Sequence, residues 1–417
     1  MNVPKLRFKA DDGTEFPEWE EKKLGNLFPY IRNGFVGVVT DYFCSRDEGV
    51  EYIEGTNIHD GHIDDVIDLY VTHEFDERHI NSRLKKDDIV MVQSGHVGEC
   101  AVVGSHHENA NCHALIVMSN GGHVVSEFYV AYFYSGSGKN VISFIQTGNT
   151  VKHILASEMK KIIVPYPSLP EQQKIASFLS TIDEIIQSTE SELTAWQERK
   201  KGVMQKIFNR EVRFKADDGS EFPEWEEKRL GEEGQFYGGL SGKGKADFGC
   251  GEGRFLTYMN IYKNAFAKRD IVDNVNVGKT EKQNSVQYGD ILFTQSSETV
   301  EEVGLSSVYL YDDKPYLNSF CMGFRFNDLR NVCPEFIGYC MRSENVRKSI
   351  MLMGQGISRI NLGAKRLATV KYGLPSLPEQ RKIAECLSSL DDVINQIDAE
   401  LSAWKEFKKG LLQQMFV

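Results

Sequence analysis
The chain has no apolar run approaching the roughly 18 to 20 residues needed to cross a bilayer. Its opening nine residues, MNVPKLRFK, lack the apolar stretch of a signal peptide. A soluble protein that stays in the cytoplasm is therefore expected, with no membrane among its partners. No two of the eight cysteines (44, 100, 112, 250, 321, 333, 340 and 386) have CxxC spacing. Single cysteines among apolar neighbours read as reduced, buried thiols. Histidine is absent outside His59–His153. Cys100, His106, His107, Cys112 and His113 lie close together there, but their spacing matches no standard zinc site, so no metal is expected.

A basic balance is missing too. The net charge is −12, which disfavours contact with phosphate backbones. The deficit is local: residues 26–150 hold 7 Lys and Arg against 17 Asp and Glu, whereas residues 232–355 hold 14 against 16. Any nucleic-acid contact must rest on local basic or polar loops, or on basic partners. Catalytic signatures are lacking as well, since no Asn-Pro-Pro-aromatic, GxSxG or HExxH pattern occurs. Gly239–Lys245 fits GxxxxGK, but Ala246 stands where a magnesium-binding Ser or Thr belongs and Asp247–Gly251 would not open a helix. Catalysis by this chain alone is not expected.

What is present is repetition. Arg7–Gly25 returns as Arg213–Gly231 with 17 of 19 positions the same, and Ser168–Phe208 returns as Ser376–Phe416 with 22 of 41 the same. The blocks between the copies barely resemble each other. A constant frame around two different contents suits a protein that presents two recognition surfaces with one symmetry.

Both Ser-Leu-Pro-Glu segments, 168–171 and 376–379, read as helix starts, with Ser and Glu expected to satisfy free amides reciprocally. Ile175, Leu179, Ile182, Ile186, Thr189, Leu193, Trp196 and Lys200 then step by alternate fours and threes. Ile383, Leu387, Leu390, Ile394, Ile397, Leu401, Trp404 and Lys408 keep the same register. A 3.5-residue period over several heptads is a coiled-coil seam, with Thr189 and Lys200 as polar interruptions that fix register. Each helix should run about 57 Å at 1.5 Å per residue. The short link after Phe208 makes the two helices antiparallel.

The expected fold is α/β (α+β): two globular domains related by a pseudo-twofold axis and joined by two long helices. The boundaries read as domains at 1–167 and 213–375, and helices with linker at 168–212 and 376–417. Trp19 and Trp225 should pack each domain against the helices. Strands are expected at 50–53, 88–93 and 114–118 in the first domain and at 255–258, 290–295 and 321–326 in the second. Helices (127–134, 335–341) and Gly-rich turns (147–153, 353–359) follow in the same order.

Taken together, the chain resembles the specificity subunit of a type I restriction-modification system over essentially its whole length. The twice-occurring SLPEQ with heptads is the most specific signal, joined by PEWEEKKLG and PEWEEKRLG. Gly55-Thr-Asn-Ile58 with Asp60-Gly61 resembles a family loop, Tyr258-Met-Asn-Ile261 is its counterpart, and Gln93-Ser-Gly-His-Val-Gly98 resembles another with Gln in place of a basic residue. Gln295-Ser-Ser-Glu298 departs further. The resemblance implies two target-recognition domains, each reading half of a split, asymmetric sequence in double-stranded DNA, with the coiled coil setting the spacer. It implies two modification subunits that carry S-adenosylmethionine and dock on the helices, and two restriction subunits that carry ATP and magnesium, with no cofactor in this chain. The acidic first block leaves a bivalent protein-binding scaffold as the alternative.

Bases are read by amides, guanidinium groups and hydroxyls on loops that enter a groove. In the first domain the candidates are Asn57, His59, Gln93, Ser94, His96, Asn149, Lys152 and His153. In the second they are Asn260, Tyr262, Lys263, Gln295, Ser296, Ser297, Gln355, Ser358 and Arg359. Lys243 and Lys245, with Lys263, Lys268, Arg269 and Lys279, are candidates for phosphate contact.

Overall fold
A computed structural model describes residues 4–356 and 358–416. The chain divides into two compact units, Met1–Ser191 with Ala399–Val417, and Glu192–Asp398. Two helices run through both: Leu169–Phe208, of 40 residues, and Leu377–Met415, of 39. No described helix is long and apolar enough to cross a membrane.

Each unit is built on one plan. In the first, a four-stranded antiparallel sheet has the order Tyr30–Asn33, Leu115–Ser119, Ile89–Val92, Cys100–Val102. In the second the order is Gly234–Gly238, Cys321–Phe326, Ile291–Thr294, Ser306–Val308. The two central strands of each sheet are buried on both faces and mostly apolar, with Arg325 as the half-buried exception, as strands covered from both sides must be. A three-stranded sheet lies beside each of them, around Gly49–Ile53 in one unit and Phe248–Leu256 in the other. The helices Ser126–Tyr134 and Pro334–Arg342 follow. Thus the expected order of elements holds, with one local difference: Tyr258 leaves the strand at Leu256 and opens the helix Tyr258–Lys263. Thr257 causes the switch, because its hydroxyl accepts the Asn260 amide at 3.2 Å as an N-cap. In the first unit the counterpart Gly55–Asn57 is a single 3-10 turn, and a hairpin follows it, Ile58–His59 with His62–Ile63, turned on Asp60 and Gly61 at φ +48° and +93°.

The repeated frame is a clasp. Arg7 Nε and Nη2 donate to the fully buried Glu171 carboxylate at 3.0 and 2.8 Å, and Nη2 also reaches the Pro17 carbonyl at 2.8 Å. Arg213 treats Glu379 and Pro223 alike, at 3.2, 3.0 and 2.6 Å. Gln172 accepts the Val125 amide at 3.0 Å and donates to the Pro167 carbonyl at 2.9 Å. Gln380 does the same with Cys333 and Pro375, at 2.8 Å each. The Pro-Glu-Gln sequence therefore ties a helix start to the frame motif and to the domain's own helix. This corrects the capping expectation: Glu171 and Glu379 serve the arginines, and the Ser168 and Ser376 hydroxyls have no hydrogen-bond partner among the described residues.

Trp19 packs on Phe128 and Phe416, and Trp225 on Phe336 and Phe208, at ring separations of 5.9–6.4 Å. Within each unit the helix segments run antiparallel. Asp183 pairs with Lys408 and Glu190 with Lys405 in the first, and Lys200 with Asp391 in the second, where Asp391 also accepts the Tyr339 hydroxyl at 2.7 Å. Ile175, Leu179, Ile182, Ile383, Leu387 and Leu401 are buried. Ile186, Leu193, Trp196, Leu390, Ile394 and Trp404 are half-buried, while Ile397 is buried, so seam positions alternate between covered and partly open along the helices. Thr189 is buried and returns its hydroxyl to the Ile185 carbonyl at 2.7 Å, which lets a polar residue sit in the seam.

Candidate nucleic-acid interface
Two loops distant in sequence meet at one end of each central sheet. In the first unit the chain leaving Ile89–Val92 pairs Ser94 with His153, while the Gln93 carbonyl accepts the Ile154 amide at 3.1 Å. The second loop is closed across its neck by Thr147 and His153, which exchange two backbone hydrogen bonds at 2.8 and 2.9 Å. In the second unit Ser296 pairs with Asn361, the Gln295 carbonyl accepts the Leu362 amide at 2.9 Å, and Gln355 and Asn361 exchange bonds at 3.0 and 2.7 Å. The backbone frame is the same in both units, and the side chains it displays are different.

Ser94, His96, Asn149, Lys152 and His153 are exposed together on the first pair of loops, and Gln355, Ser358, Arg359 and Asn361 on the second. Lys152 and Arg359 are both exposed, so both charges face solvent. Gln93 is half-buried, and its Oε1 has no hydrogen-bond partner among the described residues. Asn361 was not among the sequence candidates, because only the neck pairing reveals its place opposite Ser296. In the second unit these loops border a cleft of ≈ 390 Å³ lined by Tyr258, Met259, Tyr262, Ser296, Phe320 and Arg359, with the carboxylates of Glu298 and Glu302 also on its wall. Tyr258 and Tyr262 are stacked there at 6.1 Å, and Phe320 is 58% exposed. A surface of this kind offers apolar contact, stacking and one cation side by side.

Other candidates are committed to the fold. Asn260 is wholly buried, donating to the Lys268 and Ile271 carbonyls at 2.7 and 2.8 Å and accepting the Lys268 amide at 2.9 Å. Asn57 accepts the Glu54 amide at 3.0 Å and donates to Asp64 at 3.3 Å, closing its own turn. His59 is exposed on its hairpin, 3.9 Å from Asp64. Ser297 is buried and donates to the Thr299 carbonyl at 2.6 Å, and Tyr262 donates to Glu302 at 2.5 Å. Arg342, half-buried, holds the end of Tyr258–Lys263 by donating to the Ile261, Tyr262 and Asn264 carbonyls. Burial lowers its pKa to about 10, so it stays charged at neutral pH.

The lysine candidates do not form one stripe. Lys243 is nearly buried and gives its ammonium to Glu281 at 2.5 Å, a bond that holds the Glu281 carboxyl down at about 2. Lys263 and Lys268 line a different cavity, bordered by Glu385, Asp391 and Asp392 of the second long helix. Arg269 lies 3.4 Å from Asp313. Lys245 and Lys279 are exposed. After Lys245 the chain makes a single 3-10 turn and enters the strand Phe248–Leu256.

The His and Cys residues of 100–113 go to separate partners. His107 is buried between Glu51 (2.9 Å) and the Asp64 carbonyl (3.1 Å), and His113 meets Glu54 at 2.9 Å. Cys112 is buried, which pushes its thiol up to about 12. Among the described residues no group of three or more His, Cys, Asp or Glu is placed to hold a metal.

One sequence signal escapes a count taken over whole blocks. Phe128–Ser157 holds no Asp or Glu, in the more acidic block, and Asn345–Pro378 holds none either. These windows contain the second loop of each pair. Next to that loop a polyanion meets no like charge from its own segment, which eases the difficulty posed by the net charge, while in the second unit Glu298 and Glu302 of a neighbouring segment line the adjoining cleft.

Known proteins resemble this chain along most of its length. A family model described as the type I restriction modification DNA specificity domain matches residues 17–195 and again 223–403. The MjaVIII type I restriction enzyme specificity subunit of Methanocaldococcus jannaschii is 23% identical, over 97% of this chain and 94% of its own. The EcoKI specificity subunit of Escherichia coli is 22% identical, over 89% and 82%. The crystal structure of a type I restriction-modification S subunit from M. genitalium superposes over 100% of this chain and 99% of its own, with a TM-score of 0.58 at 17% identity. At that identity the likeness speaks for the fold.

Proposed function
The chain belongs to the type I restriction-modification DNA specificity family, and from that membership we propose that it reads a bipartite, asymmetric target in double-stranded DNA, one half-site per unit. The observation that carries the reading is the repeated neck, Thr147 with His153 and Gln355 with Asn361, which presents different exposed side chains on one backbone frame. Base edges are distinguished by the donors and acceptors that reach them, so a fixed frame with different tips is suited to two unlike half-sites. The first unit offers Ser94, His96, Asn149, Lys152 and His153. The second offers Gln355, Ser358, Arg359 and the aromatic cleft beside Ser296.

In this reading the chain performs no chemistry. Two modification subunits supply S-adenosylmethionine and methylate adenine, and two restriction subunits supply ATP-driven cleavage with magnesium. The exposed faces of the long helices dock the modification subunits, and the helices set the spacer. Phosphate contact comes in large part from those partners, with Lys152 as this chain's own share.

The test is to co-express the chain with its modification subunit in a methylation-free host and map methyladenine across the genome. A split, asymmetric motif with one modified adenine per half is expected. A stable complex that methylates no motif would refute the reading and favour a protein-binding scaffold.

A further inference from the structure
Phe144 and Leu352 occupy equivalent places, each three residues before the neck of its unit's second loop, and each is almost fully exposed, at 91% and 88%. Among the described residues no other large apolar side chain is as exposed. Their mounting is the same as well. Phe144 lies in the last turn of the helix Gly136–Ile145, and Leu352 caps the helix Glu344–Met351. Two residues earlier Ile142 and Ile350 are buried in the core, and one residue later Ile145 and Met353 pack partly against it. An apolar side chain is thus held out on a firmly anchored helix end, where exposure costs hydrophobic free energy in the isolated chain.

Around these two positions the sequence has diverged: Val141–His153 reads VISFIQTGNTVKH, whereas the equivalent stretch Ser349–Asn361 reads SIMLMGQGISRIN. What persists at 144 and 352 is a large apolar side chain, with its shape changed. A residue that read a base would change with the half-site, so the retained property points to a task common to both. Both positions also lie inside the two acid-free windows, close in sequence to the solvent-facing charges of Lys152 and Arg359, which favours a polyanion over an ordinary protein surface as the neighbour.

We propose that Phe144 and Leu352 are a matched pair of DNA wedges, one per half-site, which insert between stacked base pairs beside the reading loops and open the stack whatever the local sequence. The proposal rests on the DNA-reading function above. Phe and Leu are side chains that serve as wedges elsewhere, kinking the duplex by unstacking one step. A distortion near each half-site also suits a complex whose partners must take an adenine out of the stack before modifying it.

The test uses the full complex with modification subunits and a duplex carrying the mapped target, with 2-aminopurine placed at successive positions in each half. The wild-type complex should raise fluorescence at one step per half. Phe144→Ser should abolish the rise in the first half alone, and Leu352→Ser in the second alone, with binding weakened roughly tenfold or more. Phe144→Leu and Leu352→Phe should keep both the fluorescence rise and the affinity. Unchanged fluorescence and affinity in the Ser variants would overturn the wedge. So would loss of the modification subunit from the Ser variants with distortion intact in the complex that remains, which would make these residues a protein contact. If the wild-type complex binds no specific DNA, the functional reading fails and the wedge falls with it.

Discussion
Arg7 grips Glu171 through two nitrogens at 3.0 and 2.8 Å, and the carboxylate it holds is fully buried. The two residues lie 164 positions apart, so the bond fixes where the domain begins relative to its helix. Removing one partner of such a pair leaves the other charge buried without compensation. Arg7→Leu should therefore destabilise the first unit by about 3–5 kcal/mol, and Arg213→Leu the second in the same way. Denaturant unfolding followed by tryptophan fluorescence measures the loss. A change below about 0.5 kcal/mol, the range of neutral surface substitutions, would show that the clasp is incidental.

Asn260 and Asn149 make opposite predictions from the same residue type. Asn260→Ala empties a fully buried side-chain position and removes the partner of the Lys268 and Ile271 carbonyls and the Lys268 amide, and should cost about 1–3 kcal/mol. Asn149→Ala, on an exposed loop, should leave stability within about 0.5 kcal/mol and relax the first half-site in a methylation map. Thermal unfolding of both variants, together with that map, checks the contrast.

That contrast also marks how far the sequence could be read. The frame motif, the heptads and the apolar strands repeat or alternate locally, so their elements were legible, as was the packing role of Trp19 and Trp225. Partners distant in sequence were not. Nothing near Asn260 announces that the carbonyls at positions 268 and 271 will take its amide, and Glu171 followed a capping pattern until Arg7 claimed it. Asn361 emerged only from its neck pairing with Gln355. The acid-free windows were present in the sequence, but charge counted over whole blocks averaged them away.

Lys152 and Arg359 should separate affinity from specificity. Lys152→Ala is expected to reduce the slope of log affinity against log salt by about one, with little change of target. If Arg359 makes a bidentate contact to guanine, its replacement by Ala costs about 1–3 kcal/mol and relaxes one position of the second half-site only. Fluorescence anisotropy at several salt concentrations, beside methylation mapping, reads both. Loss of discrimination in the first half on changing Arg359 would contradict the assignment of one unit to one half.

Lys243 should not behave as a phosphate contact, because Glu281 already neutralises it. The Glu281 carboxyl is held at about 2 by hydrogen bonds first from Lys243, then from Gln283 and the Gly278 amide. Its folded pKa lies below the ordinary value of 4.5, so the stabilisation is fully present above pH 4.5 and fades as pH falls towards 2. Lys243→Ala should return the Glu281 carboxyl towards its ordinary value in a carbon-13 NMR titration and leave the salt slope of DNA binding unchanged. A slope reduced by one would place Lys243 on a phosphate in the complex, with Glu281 displaced.

The helices carry the last prediction. Each is continuous across the residues that divide the two units, since Ser191 and Glu192 lie inside Leu169–Phe208 and Asp398 and Ala399 inside Leu377–Met415. Adding one heptad to both helices preserves the seam, because seven residues make two turns of a 3.5-residue repeat. It also lengthens each helix by about 10 Å at 1.5 Å per residue. At about 3.4 Å per base pair, the unspecified spacer between the half-sites should grow by up to about three base pairs, while both half-sites keep their sequences. Two outcomes of a methylation map are informative against this expectation. An unchanged spacer would remove the helices as its ruler, and altered half-sites would mean that the reading loops depend on helix length. Neither result would disturb the clasps, whose residues lie at the helix starts and outside the inserted segment.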